Sequence, residues 1–167
     1  MKKVLKITTL FAFAFLLSCG SGEDKKKEGF TLKKKTDTEA KATANDASVL
    51  PSERVDLTNK GIGPITSLEL PSEIDQAMAA NGAEIYKKMC TACHRPDKKF
   101  IGPAPIGVLE RRTPEWIMNM ILNPVEMVQK DPLAKALLVE FNGSPMANQN
   151  LTQEEARAVL EYFRTLK

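Results

Sequence analysis

The sequence predicts an all-α domain at the C-terminal end of the chain, built of short helices around a bound group and preceded by a polar tether. Three observations carry this. From Ser72 onward apolar residues recur at helical spacing in four segments, each opened by a capping residue or a proline. No segment alternates polar and apolar residues as a half-buried strand does, and there is no internal repeat. The single histidine of the chain, His94, directly follows its only closely paired cysteines, in Cys90-Thr91-Ala92-Cys93-His94.

Residues 1–18 read as an export signal. Lys2, Lys3 and Lys6 precede an apolar run from Ile7 to Leu17, whose 11 residues fall short of the roughly 20 that a membrane-spanning helix requires. The stretch Leu16-Leu17-Ser18-Cys19 resembles a bacterial lipobox, in which the cysteine becomes the new N-terminus and carries lipid chains. An ordinary cleaved signal that happens to contain a cysteine is the alternative. More than one acyl chain makes a stable anchor, whereas one alone is marginal.

Residues 19–70 form the expected tether. Gly20 to Val49 is rich in Lys, Glu, Asp, Thr, Ala, Ser and Gly, with the runs Lys25-Lys26-Lys27 and Lys33-Lys34-Lys35, and offers too little apolar surface to build a core. Pro51 to Leu70 is more apolar, with Val55, Leu57, Ile62, Ile65, Leu68 and Leu70, enough to lie extended across a globular domain. The domain boundary is nevertheless set at Pro71. As a flexible coil, the stretch from Gly20 to Leu70 would reach roughly 40 Å.

Residues 71–167 form the domain. Ser72 is the expected cap of the first helix, with Asp75 three positions on and an apolar stripe of Ile74, Met78, Ile85 and Met89 leading into Cys90. Thr113-Pro114 opens a second helix through Trp116, Ile117, Met120 and Ile121, interrupted by Asn123-Pro124. Asp131-Pro132 opens a third, with Leu133, Leu137 and Leu138, closed by Asn142-Gly143. Thr152-Gln153-Glu154-Glu155 is a capping box for the last, whose Ala156, Val159, Leu160, Phe163 and Leu166 form one apolar face.

Two thiols three positions apart, followed at once by an imidazole, suit addition to the two vinyl groups of a haem while the histidine ligates its iron. A structural zinc site needs four Cys or His ligands, and only Cys90, Cys93 and His94 remain once Cys19 is assigned to lipid. A thioredoxin-like pair needs a strand before it, whereas the residues leading into Cys90 have helical spacing. With one histidine, any second protein ligand to iron is another residue type. Assigning Cys19 to lipid and the other two cysteines to haem leaves no free thiol in an oxidising compartment.

Removal of the signal leaves 21 basic residues against 21 acidic ones, so the net charge of +3 belongs to the signal. No basic stripe with interleaved aromatics is present, so nucleic-acid binding has no compositional support.

With the haem motif after one helix and before several others, residues 72–167 resemble a class I (cytochrome c-like) monohaem cytochrome, here of a lipid-anchored bacterial type. In that family a glycine and an aromatic four residues later, matched by Gly82 and Tyr86, let the first helix cross the last closely, against Val159 and Tyr162. The resemblance implies a cytochrome c-like fold with one covalently attached haem c, bound through Cys90 and Cys93 and ligated by His94. Its Gly-Pro is matched by Gly102-Pro103, the carbonyl of Pro103 accepting the second ring N–H of His94, with Pro105 as a rival. The family's sixth ligand is a methionine, a soft thioether that raises the reduction potential. Met146, following Gly143-Ser144-Pro145 in a loop just before the last helix, occupies that place, whereas Met78, Met118, Met120 and Met127 lie in or near apolar helical stripes. Trp116 either donates its indole N–H to a haem propionate or packs in the core. Arg111 and Arg112 either neutralise propionates or sit on the surface.

The function so implied is single-electron transfer between respiratory partners outside the cytoplasm, with both axial positions filled and no substrate site, so not an enzyme. Two other readings stay open: a haem subunit of a larger oxidase or reductase complex, and a haem protein whose labile sixth ligand admits a gas. The stretches around Trp116 and Met146 are also similar to small cytochromes that feed copper-containing reductases of denitrification, such as nitrous oxide reductase; a terminal oxidase is a further candidate partner. Lys87, Lys88, Arg95, Lys98 and Lys99 flank the haem motif and could steer an acidic partner. The domain as a whole balances 12 basic residues with 12 acidic ones.

Overall fold

Helix signals in the chain translate into six helices in the computed structural model, which describes residues 48–167. They are α1 Gln76–Met89, α2 Val108–Arg111, α3 Pro114–Leu122, α4 Pro124–Lys130, α5 Pro132–Glu140 and α6 Gln153–Thr165. Among the described residues there is no strand, only an isolated bridge between Asp56 and Arg112. The expected all-α class holds, and four expected helices become six. One addition is a single turn, α2; the other is α4, which follows α3 because Pro124 ends one helix and starts the next at N1.

Local chemistry sets most of the ends. Thr113, Asp131 and Thr152 cap α3, α5 and α6, their side chains accepting from the backbone N–H of Trp116, Ala134 and Glu155. In α6 the Glu155 carboxylate returns the favour to the Thr152 N–H, completing the capping box. The first helix departs from expectation. Asp75, not Ser72, is its cap, accepting from the Met78 N–H, and the buried face is Ala79, Gly82 and Tyr86. Met89 is exposed.

The close crossing of α1 and α6 is the frame. A β-carbon on Gly82 would collide with the Ala158 carbonyl and stand 2.9 Å from the Val159 nitrogen, so only glycine permits this approach. One turn on, the Tyr86 ring meets Tyr162 at 5.3 Å and Phe163 at 5.7 Å between centroids. Beneath the crossing, Trp116, Ile117, Ile121, Met127, Val159 and Leu160 form the buried core.

Residues 48–70 correct the expected boundary at Pro71, because they belong to the folded domain. They run as an irregular strap over α2–α5, with Ile62, Ile65, Leu68 and Leu70 packed on the core. Asn119, buried on α3, holds three backbone groups of the strap: its amide donates to the Lys60 and Ile65 carbonyls at 2.9 Å each and its oxygen accepts from the Ile65 N–H at 2.9 Å. The Thr113 hydroxyl donates to the Asn59 carbonyl at 2.6 Å, and the Met127 sulfur accepts from the Ile62 N–H at 3.0 Å. A segment without secondary structure thereby satisfies its backbone through side chains of the helices. The signal at residues 1–18, Cys19 and the tether up to residue 47 lie outside the described residues.

Candidate haem site

The C-terminal end of α1 delivers the motif. Cys90 caps that helix, and a turn in which the Cys93 and His94 N–H groups both bond the Cys90 carbonyl, at 3.1 and 2.9 Å, brings the three residues to the border of one cavity. The loop beyond folds back at once. Gly102 donates to the Cys93 carbonyl at 2.8 Å, bringing Pro103 under the imidazole.

His94 Nδ1 lies 2.8 Å from the Pro103 carbonyl oxygen. A carbonyl only accepts, so Nδ1 carries the proton and Nε2 keeps its lone pair free. Pro103, rather than Pro105, fills the expected position. Gly102 makes this possible: a β-carbon there would stand 2.5 Å from His94 Cε1 and 2.9 Å from Nδ1.

Cys90, Cys93, His94, Pro103 and Met146 border one cavity of about 200 Å³, whose further walls are largely apolar, including Val108, Leu137 and Leu138. A second, smaller hollow shares Cys90, His94, Met120 and Met146. Neither cysteine is in a disulfide, and burial, helped by the neighbouring Cys93, pushes the Cys90 thiol up to about 11. Two cysteine side chains, a lone-pair nitrogen held at a fixed tautomer and a thioether around an apolar hollow fit a covalently held haem. Among the described residues no three His, Cys, Asp or Glu side chains come together to hold a metal ion, which leaves zinc without a ligand set.

Of the methionines, Met127 is fully buried and hydrogen-bonded in the core. Met146 sits in the loop before α6 and packs partly on the core. Met120 also reaches the cavity, which its place in an apolar stripe did not reveal.

Trp116 corrects one expectation. Its indole N–H donates to Asp131 Oδ1 at 3.2 Å, and Asp131 also takes the Ala134 N–H and the Asn59 amide. Asp131 is buried, so it needs these donors, and the indole is committed to it rather than to a propionate. Trp116 serves the cavity as wall. Arg112 is likewise no surface residue: it is 3% exposed, and burial, opposed by Asp56 and Asp131 but aided by Arg111 and Arg54, pulls it down to about 10, still charged at neutral pH. Arg111 and Arg112 both line the cavity, as does Ser52 of the strap, which sequence reasoning missed because nothing local marks it.

On the rim, the Arg95 guanidinium stacks over Phe100 at 4.3 Å and Lys99 over Phe141 at 4.5 Å. Exposed Met89, Phe100 and Ile101 lie among these cations in the sequence.

The family model described as cytochrome c matches residues 79–167. Among solved structures, the cytochrome c from Rhodothermus marinus is 43% identical, the match covering 70% of this chain and 93% of that one with a TM-score of 0.61. An engineered cytochrome c from the same organism is 42% identical over 70% of this chain and 94% of that one, with a TM-score of 0.61. A further engineered form, bound to a carbene intermediate, is 42% identical with the same coverage and a TM-score of 0.58. No curated protein sequence matches.

Proposed function

Because this chain belongs to the cytochrome c family, and so carries one covalently bound haem c, we propose that it is a single-electron carrier working outside the cytoplasm. The observation that carries the reading is the convergence of Cys90, Cys93, His94 and Met146 on one apolar cavity, with the His94 tautomer set by Pro103. The haem supplies the chemistry, reversible uptake of one electron at its iron. Cys90 and Cys93 hold it as thioethers. His94 would ligate through Nε2, made more basic by the Pro103 carbonyl, and Met146 through its sulfur. The apolar wall of Val108, Leu137 and Leu138 keeps water from the iron. His94 and Met146 would both be engaged as protein ligands of the iron, and on that ground we read a carrier and not an enzyme.

Met146→Ala tests the ligand set. The variant is expected to turn high-spin or water-ligated with a lower potential, while Met120→Leu keeps the parent spectrum. An unchanged spectrum in Met146→Ala, or its loss in Met120→Leu, sinks the assignment.

We further place the protein at a bacterial membrane on the periplasmic side, anchored through lipid on Cys19, with residues 20–47 as tether. Among the described residues no helix is long and apolar enough to cross a membrane. The partners are a redox donor and acceptor, among them a copper-containing denitrification reductase such as nitrous oxide reductase or a terminal oxidase. Mixing the reduced full-length protein with membrane or periplasmic fractions supplied in turn with oxygen, nitrite or nitrous oxide identifies the acceptor by faster reoxidation.

One observation favours a second reading. The Met146 loop is mostly exposed from Asn142 to Asn150, and its hydrogen bonds are short-range, among them Ser144 N–H to Phe141, Gln149 to Ala147 and Asn150 to Asn148. A ligand on so lightly held a loop suits exchange with a small molecule. Carbon monoxide binding to the reduced parent protein at neutral pH would support this; a spectrum indifferent to the gas supports the carrier.

A further inference from the structure

Tyr86, at the α1–α6 crossing, is 3% exposed, and its buried hydroxyl has no hydrogen-bond partner among the described residues. The ring is packed against Tyr162 and Phe163, so the hydroxyl cannot swing out to solvent without breaking that cluster. A buried donor left unmet is costly, and in native proteins such groups find a protein partner or a trapped water. Burial first, then the neighbouring Cys90, pushes this phenol above its ordinary range, so it keeps its proton and stays a donor.

The hydroxyl belongs to a residue of the smaller hollow, about 100 Å³, and not of the larger cavity. Tyr86, Pro105, Ile117, Ile121, Val159 and Phe163 border the smaller hollow alone, so it runs inward from the haem motif to the α1–α6 crossing. Its other polar side chains are engaged. The Trp116 indole donates to Asp131, and His94 Nδ1 donates to the Pro103 carbonyl. That carbonyl has a second lone pair, and Pro103 borders the same hollow. One water takes up roughly 30 Å³ in the liquid, so there is room for it. The aliphatic walls offer a water no partner, which confines it to the end where Tyr86 and Pro103 supply two.

We propose that the inner hollow is a binding site for one buried water, held between the Tyr86 hydroxyl and the Pro103 carbonyl, which makes Tyr86 a positioning residue for His94. The water accepts from Tyr86 Oη and donates to the Pro103 oxygen. A second hydrogen bond to that oxygen weakens its hold on the His94 Nδ1 proton, so Nε2 becomes a poorer donor and ferric iron is less favoured. Tyr86 thereby raises the reduction potential. This redox step rests on the haem reading above but not on Met146.

Tyr86→Phe removes one oxygen and keeps the ring. The reduced full-length holoprotein, with one haem per chain by pyridine haemochrome, is compared with the parent by three measurements: water-oxygen magnetic relaxation dispersion, which counts long-lived buried waters; urea unfolding; and spectroscopic redox titration. The variant is expected to hold one long-lived water fewer, to unfold at lower urea and to have a lower potential. Tyr162→Phe, whose ring does not border the hollow, is expected to match the parent in water count and potential. Were the Tyr86 hydroxyl simply unmet, its removal would relieve a buried donor, and the unfolding midpoint would rise instead. An unchanged water count in Tyr86→Phe, a midpoint that does not fall, or a parental potential overturns the proposal. Any of these leaves the electron-carrier reading standing, whereas absence of haem from the parent would sink both.

Discussion

Gly102 and Trp116 show how single residues divide between site and scaffold. A β-carbon on Gly102 would press on His94 Cε1 at 2.5 Å, so Gly102→Ala must push the imidazole off the Pro103 carbonyl or open the loop. The expected result is a lower yield of holoprotein and a disturbed low-spin spectrum, against an unchanged α1–α6 crossing by circular dichroism. Trp116→Phe probes the opposite case. Its indole serves buried Asp131, so losing it costs about 1–2 kcal/mol, the price of one lost hydrogen bond to a charged group, while the reduction potential stays at the parent value. A large potential shift in that variant would return Trp116 to the propionates. The motif Cys90 to His94 and the Gly102-Pro103 pair were legible because their chemistry is local, nine residues apart at most between His94 and Pro103. The Trp116 partner was not, since Asp131 lies on the far side of α4 in the chain.

At the scale of elements, the α1–α6 crossing depends on one absent side chain and one buried acid. Gly82→Ala drives a methyl group into the Ala158 backbone, for which no rotamer offers relief. A destabilisation of about 3 kcal/mol, at the upper end for overpacking, is expected in urea unfolding of the holoprotein. Glu161 on α6 has a side chain 1% exposed, paired with Arg157 at 2.5 Å and Arg164 at 2.7 Å. It also accepts the Asp75 N–H at 2.8 Å, which ties α6 to the cap of α1. Burial alone would raise this carboxyl, but the Arg157 hydrogen bond, the Asp75 N–H and the two cations outweigh it and hold it below the usual carboxylate range. A group depressed in the folded state stabilises above its unfolded pKa, and that stability is lost as pH falls through the folded value. Stability should therefore decline on the acid side, and Glu161→Gln should cost about 3 kcal/mol at neutral pH while making the acid decline shallower. Equal acid profiles for parent and variant would show that Glu161 is not the titrating link. The helical face of α6 and its capping box were readable from spacing alone. The choice of Asp75 over Ser72 as the cap of α1 was not, because Glu161 orients Asp75 from 86 positions away.

Across the whole molecule, the strap joins everything the helices leave open. It closes over α2–α5, meets the core with four aliphatic side chains, and reaches the haem cavity through Ser52. Asn119 is its main fastener, and Asn119→Ala strands three backbone groups of Lys60 and Ile65 at once. The variant should lose about 2 kcal/mol or more and become cleavable by protease within residues 59–70 before the helical domain is cut. Equal resistance of strap and helices would mean that Asn119 does not hold it. By itself the sequence determined four of the six helices, the caps of α3, α5 and α6 and the haem-binding motif, because periodicity, capping side chains and Cys-x-x-Cys-His act over a few neighbouring residues. Only the tertiary structure decided that residues 48–70 belong to the domain, that Trp116 serves Asp131, and that Ser52, Arg111 and Arg112 line the haem pocket. Those contacts run between side chains and backbone groups about 50 to 90 residues apart for the strap, and such pairings leave no pattern in the order of the residues.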